Sequence, residues 1–307
     1  LQKLVKERQI RLWFAGLIII AANAGGAFSP IGDVTTTMLW IADKVTTPYL
    51  FGYLLLPSLV CMLVPTYLAS RLSVFKGDLD VYGSDDSASG RFSSTMLYLG
   101  LSAIIFVPFF KMVTHLPPYV GMMLSLGIVA IFAEICSSSK FSLEGLDNKK
   151  HTSPIHHSLT KIELPSILFF LGILMAVAAL ESLGILFGFA DWLKVSTPHI
   201  GTEMAGTAVS DLVVILLGVG SAVIDNVPLV AASLGMFSEA SDNILWHFIA
   251  YSAGTGGSML VIGSAAGVVA MGMEKINFFW YLKKISWLAF TGFVCGALVF
   301  LFTRTLF

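Results

Sequence analysis

Charge is scarce in this sequence: of 307 residues, 18 are Lys or Arg and 19 are Asp or Glu, 12% in all. Soluble domains carry roughly twice that share, so a water-facing globule is excluded. The net charge of -1 leaves no basic stripe to neutralise phosphates, which excludes nucleic acid as a partner. Cysteine is equally sparse. Cys61, Cys136 and Cys295 stand singly in apolar runs without metal-ligand spacing, so no disulfide framework or zinc site is expected. The chain opens LQKLVKERQIR, with neither an initiator Met nor a charged-then-apolar leader followed by a cleavage site. That opening reads as an incomplete chain.

Apolar residues are what the sequence has: 56% of it, with a mean hydropathy of +0.84. Lipid is therefore the solvent for most of the chain, and the fold class expected is an all-α polytopic membrane protein. A spanning helix needs about 20 mostly apolar residues, and five stretches qualify: 49–70, 95–113, 117–136, 165–189 and 278–303. Three more, 12–41, 206–237 and 244–271, are broken in their middles by Gly, Pro and polar residues. Segments 72–94 and 137–163 are polar and read as solvated loops. His151, His156 and His157 fall in the second and are read as loop histidines, because no Cys or carboxylate spacing supports a metal there.

Lys and Arg placement orients the chain. If 12–41 crosses outward and 206–237 enters and leaves on the outer side, 14 of the 18 basic residues are cytoplasmic, leaving Lys44, Lys111, Lys194 and Arg304 outside. Segment 206–237 is therefore expected to be a re-entrant hairpin, each arm too short to cross a ~30 Å core. The broken segments also resemble one another. GGAFSPIGD (25–33) aligns without gaps on GGSMLVIGS (256–264), and the two run in opposite directions, the mark of inverted repeats. The expected organisation is 1–71 as the end of a first repeat, 72–94 as a cytoplasmic loop and 95–307 as a second repeat. On this reading a comparable set on the order of 150 residues, including a partner hairpin, lies upstream, and this fragment alone does not transport.

Three constellations can carry chemistry. In NAGGAFSPIGDVTTT (23–37), Gly25, Gly26, Gly32 and Pro30 should unwind the helix and free carbonyls. Asn23, Ser29, Thr35, Thr36 and Thr37 add neutral oxygens beside one carboxylate, Asp33, and such a shell suits a small hard cation. The competing account is helix packing by the glycines and i−4 bonding by the hydroxyls. It does not cover Asp33, since a mid-membrane carboxylate costs ~2.5 to 3.5 kcal/mol. In GVGSAVIDNVP (218–228), Asp225 and Asn226 are expected at the hairpin tip, with Pro228 in the first turn of the second arm. SAGTGGSMLVIGSAAG (252–267) repeats the unwinding signals without a carboxylate; Ser258 is its first candidate, and small-residue packing accounts equally for Ser264. Glu181 is a candidate proton relay or a structural hydrogen-bonding group. Asp211 and His247 are expected near the outer boundary in snorkelling or interfacial roles.

AANAGGAFSPIGDVTTTMLWI (21–41) together with GVGSAVIDNVPLVAASLGMF (218–237) resembles the NhaD-type sodium/proton antiporters of the ion transporter superfamily, and the resemblance covers essentially the whole chain. It implies functional roles for Asn23, Asp33, Thr35, Thr36, Ser221, Asp225, Asn226 and the serines of 252–264. It also implies an inverted pair of units, each with scaffold helices, a re-entrant hairpin and a broken helix. The activity expected is secondary transport, not enzymatic: sodium, or lithium, leaves in exchange for protons that compete for the Asp33 and Asp225 carboxylates. Sodium is then the metal at Asp33 and Asp225, and no cofactor is required. The alternatives are an anion carrier of the same superfamily for dicarboxylate, citrate or arsenite, and, remotely, an intramembrane aspartyl protease. Expected partners are membrane lipid, sodium ions and protons, with a homodimer as a further candidate. A bacterial inner membrane is the expected setting, an organellar envelope the alternative.

Overall fold

The computed structural model describes residues 7–76, 93–114, 116–141, 182–196 and 209–304, together with Val5 and scattered positions from 168 to 180. Among the described residues every element is helical. They divide into two compact units, Leu1–Gly83 with Ile173–Phe307, and Ser84–Gly172.

The smaller unit is a hairpin of α4 (Ser93–Thr114) and α5 (Pro118–Phe141). Phe110 packs over Gly121 and the Ser125 hydroxyl donates to the Ala103 carbonyl at 3.0 Å, so the helices are antiparallel. Helix α5 runs on through Ser137–Phe141, a stretch expected as loop, because helix propagation adds a hydrogen bond per residue once nucleated. Both helices are long and apolar enough to cross a membrane, and large side chains such as Leu97, Phe109, Met123 and Ile131 are exposed on them. In water such a surface would aggregate; in lipid it is the ordinary outside of a spanning helix.

The larger unit contains α1 (Arg8–Ala27), α2 (Val34–Ile41), α3 (Thr47–Ser70), α6 (Ile185–Ser196), α7 (Asp211–Ile224) and α8 (Asn226–Met236). After these come α9 (Ile244–Gly256), α10 (Ala265–Glu274), α11 (Phe278–Lys284) and α12 (Ser286–Thr303). Contacts between the ends of these helices establish which end lies where. At one end, Arg11 pairs with Glu274 at 2.7 Å, and Trp13 packs edge-on against Trp280 and Phe75. At the other, Asp242 N donates to Lys44 O at 2.9 Å, Thr46 N donates to Asp242 Oδ1 at 2.7 Å, and Arg304 pairs with Asp211 at 2.7 Å. Tyr53, His247, Phe248 and Phe300 form one ring cluster there. Thus α1 and α2 run from the Arg11 end to the Lys44 end, while α9 and α10 run the opposite way.

Both arms of the α7–α8 pair open on the Lys44 end. Asp211, the first residue of α7, pairs with Arg304, and α8 leads into the 237–243 turn that Lys44 and Trp246 hold by its Glu239 carbonyl. At 14 and 11 residues the arms reach about 21 and 16 Å, each short of a ~30 Å membrane core, and Asp225 is the tip between them.

Several expected boundaries shift. Gly25 and Gly26 remain helical, and α1 alone is long enough to cross. Its unwound stretch is residues 28–33: Gly26 serves close backbone approach to Gly32 from within the helix, and the chain breaks around Pro30, which removes a donor. Gly218 and Gly220 are likewise inside α7. The expected span 278–303 divides at Ile285 into α11 and α12, with Lys283 and Lys284 in the last turn of α11, where cations meet the negative helix end. Most of the expected span 165–189 lies outside the described residues.

The interior is close-packed through glycine. A Cβ on Gly256 would lie 2.0 Å from the Gly218 carbonyl oxygen, a backbone atom that cannot yield. Gly256→Ala should therefore abolish a monodisperse, folded peak in detergent size-exclusion chromatography. Gly272→Ala, where a Cβ meets nothing within 4 Å, should leave that peak unchanged.

Candidate ion-binding site

The unwound stretch between α1 and α2 is closed by a glycine pair, since a Cβ on Gly26 would fall 3.0 Å from the Gly32 carbonyl oxygen. Asp33 follows in extended conformation and caps α2. Its Oδ1 accepts from Val34 N at 2.7 Å and its Oδ2 from the Thr35 hydroxyl at 2.7 Å. A third bond comes from the hairpin: Asn226 Nδ2 donates to Asp33 Oδ2 at 2.9 Å. Asn226 is the first residue of α8, and Asp225, at φ 78°, is the single residue separating α7 from α8. Asp225 Oδ1 accepts from Asn226 N at 2.8 Å. Each carboxylate thus faces the positive N-terminus of a short helix, and one asparagine joins the two. Asp33 and Asp225 are half-buried; Thr35, Thr36 and Asn226 are buried.

Two threonine hydroxyls lie among the carbonyl oxygens of the break. The Thr36 hydroxyl lies 2.8 Å from Ser29 O, 3.0 Å from Asp33 O and 3.3 Å from Gly26 O; that of Thr37 lies 2.6 Å from Pro30 O and 2.8 Å from Asp33 O. A hydroxyl has one proton to give, so acceptor capacity is left over. Carboxylate, carbonyl and hydroxyl oxygens are the donor atoms a small hard cation takes in exchange for water.

The second break has the same geometry at the aligned positions. A Cβ on Gly257 would meet Gly263 O at 2.3 Å, as Gly26 meets Gly32. Gly263 N donates to Leu260 O at 3.1 Å, as Gly32 N donates to Ser29 O at 3.0 Å. Ser264 is extended and caps α10 through Gly267 N, as Asp33 caps α2. Here a hydroxyl stands where the first break has a carboxylate.

Of the residues singled out in the sequence, Asp33, Thr35, Asp225 and Asn226 form one cluster, with Thr36 packed under it. Asn23 lies elsewhere, donating across the two broken helices to Ser264 Oγ at 3.0 Å. Ser221 donates to Gly218 O and is 3.1 Å from Ala253 O, which pins α7 against α9. Ser258, the first candidate of its segment, donates to Thr255 O at 2.6 Å, while its own carbonyl accepts from Tyr281 Oη at 2.8 Å. Its helical i−3 neighbour holds the hydroxyl, so Ser264 is the serine that reaches across. The alignment that paired Ser264 with Asp33 carried that signal. Asp211 does not snorkel: it is 3% exposed, with both carboxylate oxygens on Arg304 at 2.7 and 3.1 Å. His247 is fully buried. Glu181, His151, His156 and His157 lie outside the described residues. Among the described residues no group of three or more His, Cys, Asp or Glu could hold a metal.

Comparison with known proteins identifies a family for the chain. A family model described as citrate transporter (CitMHS) matches residues 1–247. Sodium/proton antiporter 1 of Arabidopsis thaliana is 42% identical over 100% of this chain and 51% of its own length. Sodium/proton antiporter 2 of the same plant is 39% identical over 98% of this chain and 69% of its own length. The Na(+)/H(+) antiporter NhaD of Alkalimonas amylolytica is 33% identical over 92% and 59%. The chain thus spans about half to two-thirds of the curated relatives it matches. No solved structure matches it significantly. By the family model over residues 1–247 and by these identities, the chain belongs to the citrate transporter family, on its NhaD-type sodium/proton antiporter branch.

Proposed function

We propose that this chain forms an ion-binding half of a secondary transporter that moves sodium out in exchange for protons. The observation that carries the reading is the bond from Asn226 Nδ2 to Asp33 Oδ2 at 2.9 Å, which, with Asn226 N on Asp225 Oδ1, puts the carboxylates of a broken helix and of a hairpin tip on one asparagine. Sodium and protons compete for such carboxylates, because either one neutralises a charge that lipid-depth surroundings disfavour. Exchange without leak follows if neither carboxylate can change sides uncompensated. The repeat units enter the same reading: α1–α2 and α9–α10 are inverted counterparts, and 1–71 and 95–307 belong to two halves of the carrier. Asn23 and Ser264 couple those halves across the middle. Thr36 and Ser221 hold the breaks in shape, and Ser258 is assigned to the packing of the second break instead of to the ion.

The anion-carrier alternative has less support here. Half-helix N-termini attract anionic substrates, but α2 and α8 already have Asp33 and Asp225 as their caps. The protease alternative lacks a geometric basis as well, since an asparagine amide links the Asp33 carboxylate to the hairpin tip instead of leaving two carboxyls to share a proton. Identities of 42% and 39% to plant proteins, against 30–34% to the bacterial NhaD proteins, favour a plant membrane over the bacterial inner membrane.

In full-length protein, Asp33→Asn should abolish sodium-driven dequenching of a pH dye in everted vesicles while leaving membrane insertion intact. Persisting exchange would refute the assignment of Asp33. Asp225→Asn should cause a comparable loss, and a mere shift in apparent sodium affinity would move Asp225 out of direct contact with the ion. Thr35→Val removes one hydrogen bond to a charged group, ordinarily about 1.5 to 3 kcal/mol. The apparent sodium affinity should then weaken at least about tenfold with the maximal rate less affected, read from the sodium dependence of the same dye signal.

A further inference from the structure

Between the second broken helix and the last span lies a short element with no part in the exchange reading. Helix α11 starts from an Asn277 cap, whose Oδ1 accepts from Phe279 N at 2.9 Å and Trp280 N at 3.3 Å, and it ends on Lys283 and Lys284. One side of it is tied into the protein. Tyr281 is fully buried, and its hydroxyl donates to Ser258 O at 2.8 Å in the second break. Trp280 packs edge-on against Trp13 at 5.8 Å between centroids, and Ile285, the residue after the helix, packs over Gly16 of α1.

The other side faces outward with an unusual pairing of apolar and basic groups. Phe279 is 66% exposed and Leu282 42%. Lys283, one turn beyond Phe279, is exposed beside them, and Lys275 and Lys284 are exposed as well. Among the described residues none of these three lysines meets a carboxylate. Glu274, the acid next to Lys275, is taken by Arg11 at 2.7 Å, and no Asp or Glu follows it in the sequence.

The position of α11 says what such a face meets. Helices α1 and α12 are both long and apolar enough to cross a membrane, and both begin beside α11, α1 through Trp13 and Gly16 and α12 directly at Ser286. Aromatic rings with lysines at the end of a span belong to the headgroup layer, where rings lie at the interface and ammonium groups reach outward. The exposed apolar surface is also continued along α12 by Trp287 and Phe290, at 43% and 49%. One surface therefore runs from acyl-chain depth to the lysines.

We infer that α11 is a docking site for an anionic phospholipid, with Lys283 and Lys284 holding the headgroup phosphate and Phe279 and Leu282 lying against its chains. A zwitterionic headgroup brings an ammonium of its own, which two lysines without acidic partners repel, so the site selects a lipid of net negative charge. Tyr281 belongs to the same turn, so an occupied site steadies the second break along with α11.

The site rests on the chain spanning a membrane and not on the ion it carries. The test follows the melting temperature of purified full-length protein in detergent–phosphatidylcholine micelles as phosphatidylglycerol replaces the phosphatidylcholine. The wild type should gain stability saturably. A lysine near an anionic surface strengthens binding roughly fivefold. The double variant Lys283→Gln/Lys284→Gln should then need on the order of twentyfold more phosphatidylglycerol for half the gain. Arg8→Gln/Lys76→Gln, which removes two exposed charges at the same end but outside α11, should respond as the wild type does. No gain in the wild type, or an unchanged response in the α11 variant, overturns the site. An equal loss in the Arg8/Lys76 variant overturns it too, by reducing it to diffuse surface attraction. A gain reproduced by inorganic phosphate overturns lipid as the occupant.

Discussion

The bond between Asn226 and Asp33 is the constraint on which the rest of this architecture depends. A carboxylate in the middle of a membrane has no water to solvate it, so its oxygens must be met by donors from the protein, by a cation or by a proton. Asp33 draws two donors from its own helix start and one from a hairpin nearly two hundred residues later in the chain. Capping and solvation are therefore one interaction. The groups that let α2 and α8 begin as helices also tolerate the charge, and any neutralisation of that charge acts on both helix starts together.

Such a junction requires irregular backbone at membrane depth, which survives only inside a tight protein surround. Gly26 against Gly32 and Gly257 against Gly263 let each broken helix fold back on itself. Around them the scaffold is α3 against α12, where Gly292 and Gly296 admit the Cys61 and Pro57 carbonyls to backbone contact. Two buried tyrosines are tied to backbone: Tyr251 Oη donates to Phe293 O at 2.8 Å and Tyr281 Oη to Ser258 O at 2.8 Å. These bonds occupy carbonyls on the scaffold side.

What could be read in advance follows from the range over which each signal acts. Asp225 and Asn226, between ILLGVG and VPLVAA, and Asp33, before VTTTMLWI, were legible because a charge or amide in an apolar run is costly in lipid on its own, wherever its partners are. The hairpin was legible from charge bias and arm length together. Ser258 and Ser264 were harder to separate, since both stand in the same small-residue segment. The difference lies in an i−3 carbonyl that absorbs one hydroxyl and a residue 241 positions away that claims the other. The break at Ile285 left no sign in an apolar count, because FFWYLKKISW remains hydrophobic through its turn. The burial of Asp211 was hidden for a related reason: a boundary position looks the same whether or not an arginine closes over it.

The two broken helices are alike in backbone and unlike in charge, and that difference has a mechanical consequence. At Ser264 the cap is a neutral hydroxyl whose other partner is Asn23, so the start of α10 is fixed by bonds that no ion needs to complete. At Asp33 the cap is charged and its balance depends on what is bound. On the proposed exchange reading, α2 is the half-helix whose anchorage would vary with occupancy, and its far end runs into the Lys44–Asp242 contacts shared with the turn after α8. A motion that responds to sodium or protons would thus be borne by α2 and α8 as a pair, hinged at the Lys44 end and free at the carboxylates. Meanwhile α1, α9 and α10, held by Asn23–Ser264 and by Arg11–Glu274, would stay with the scaffold.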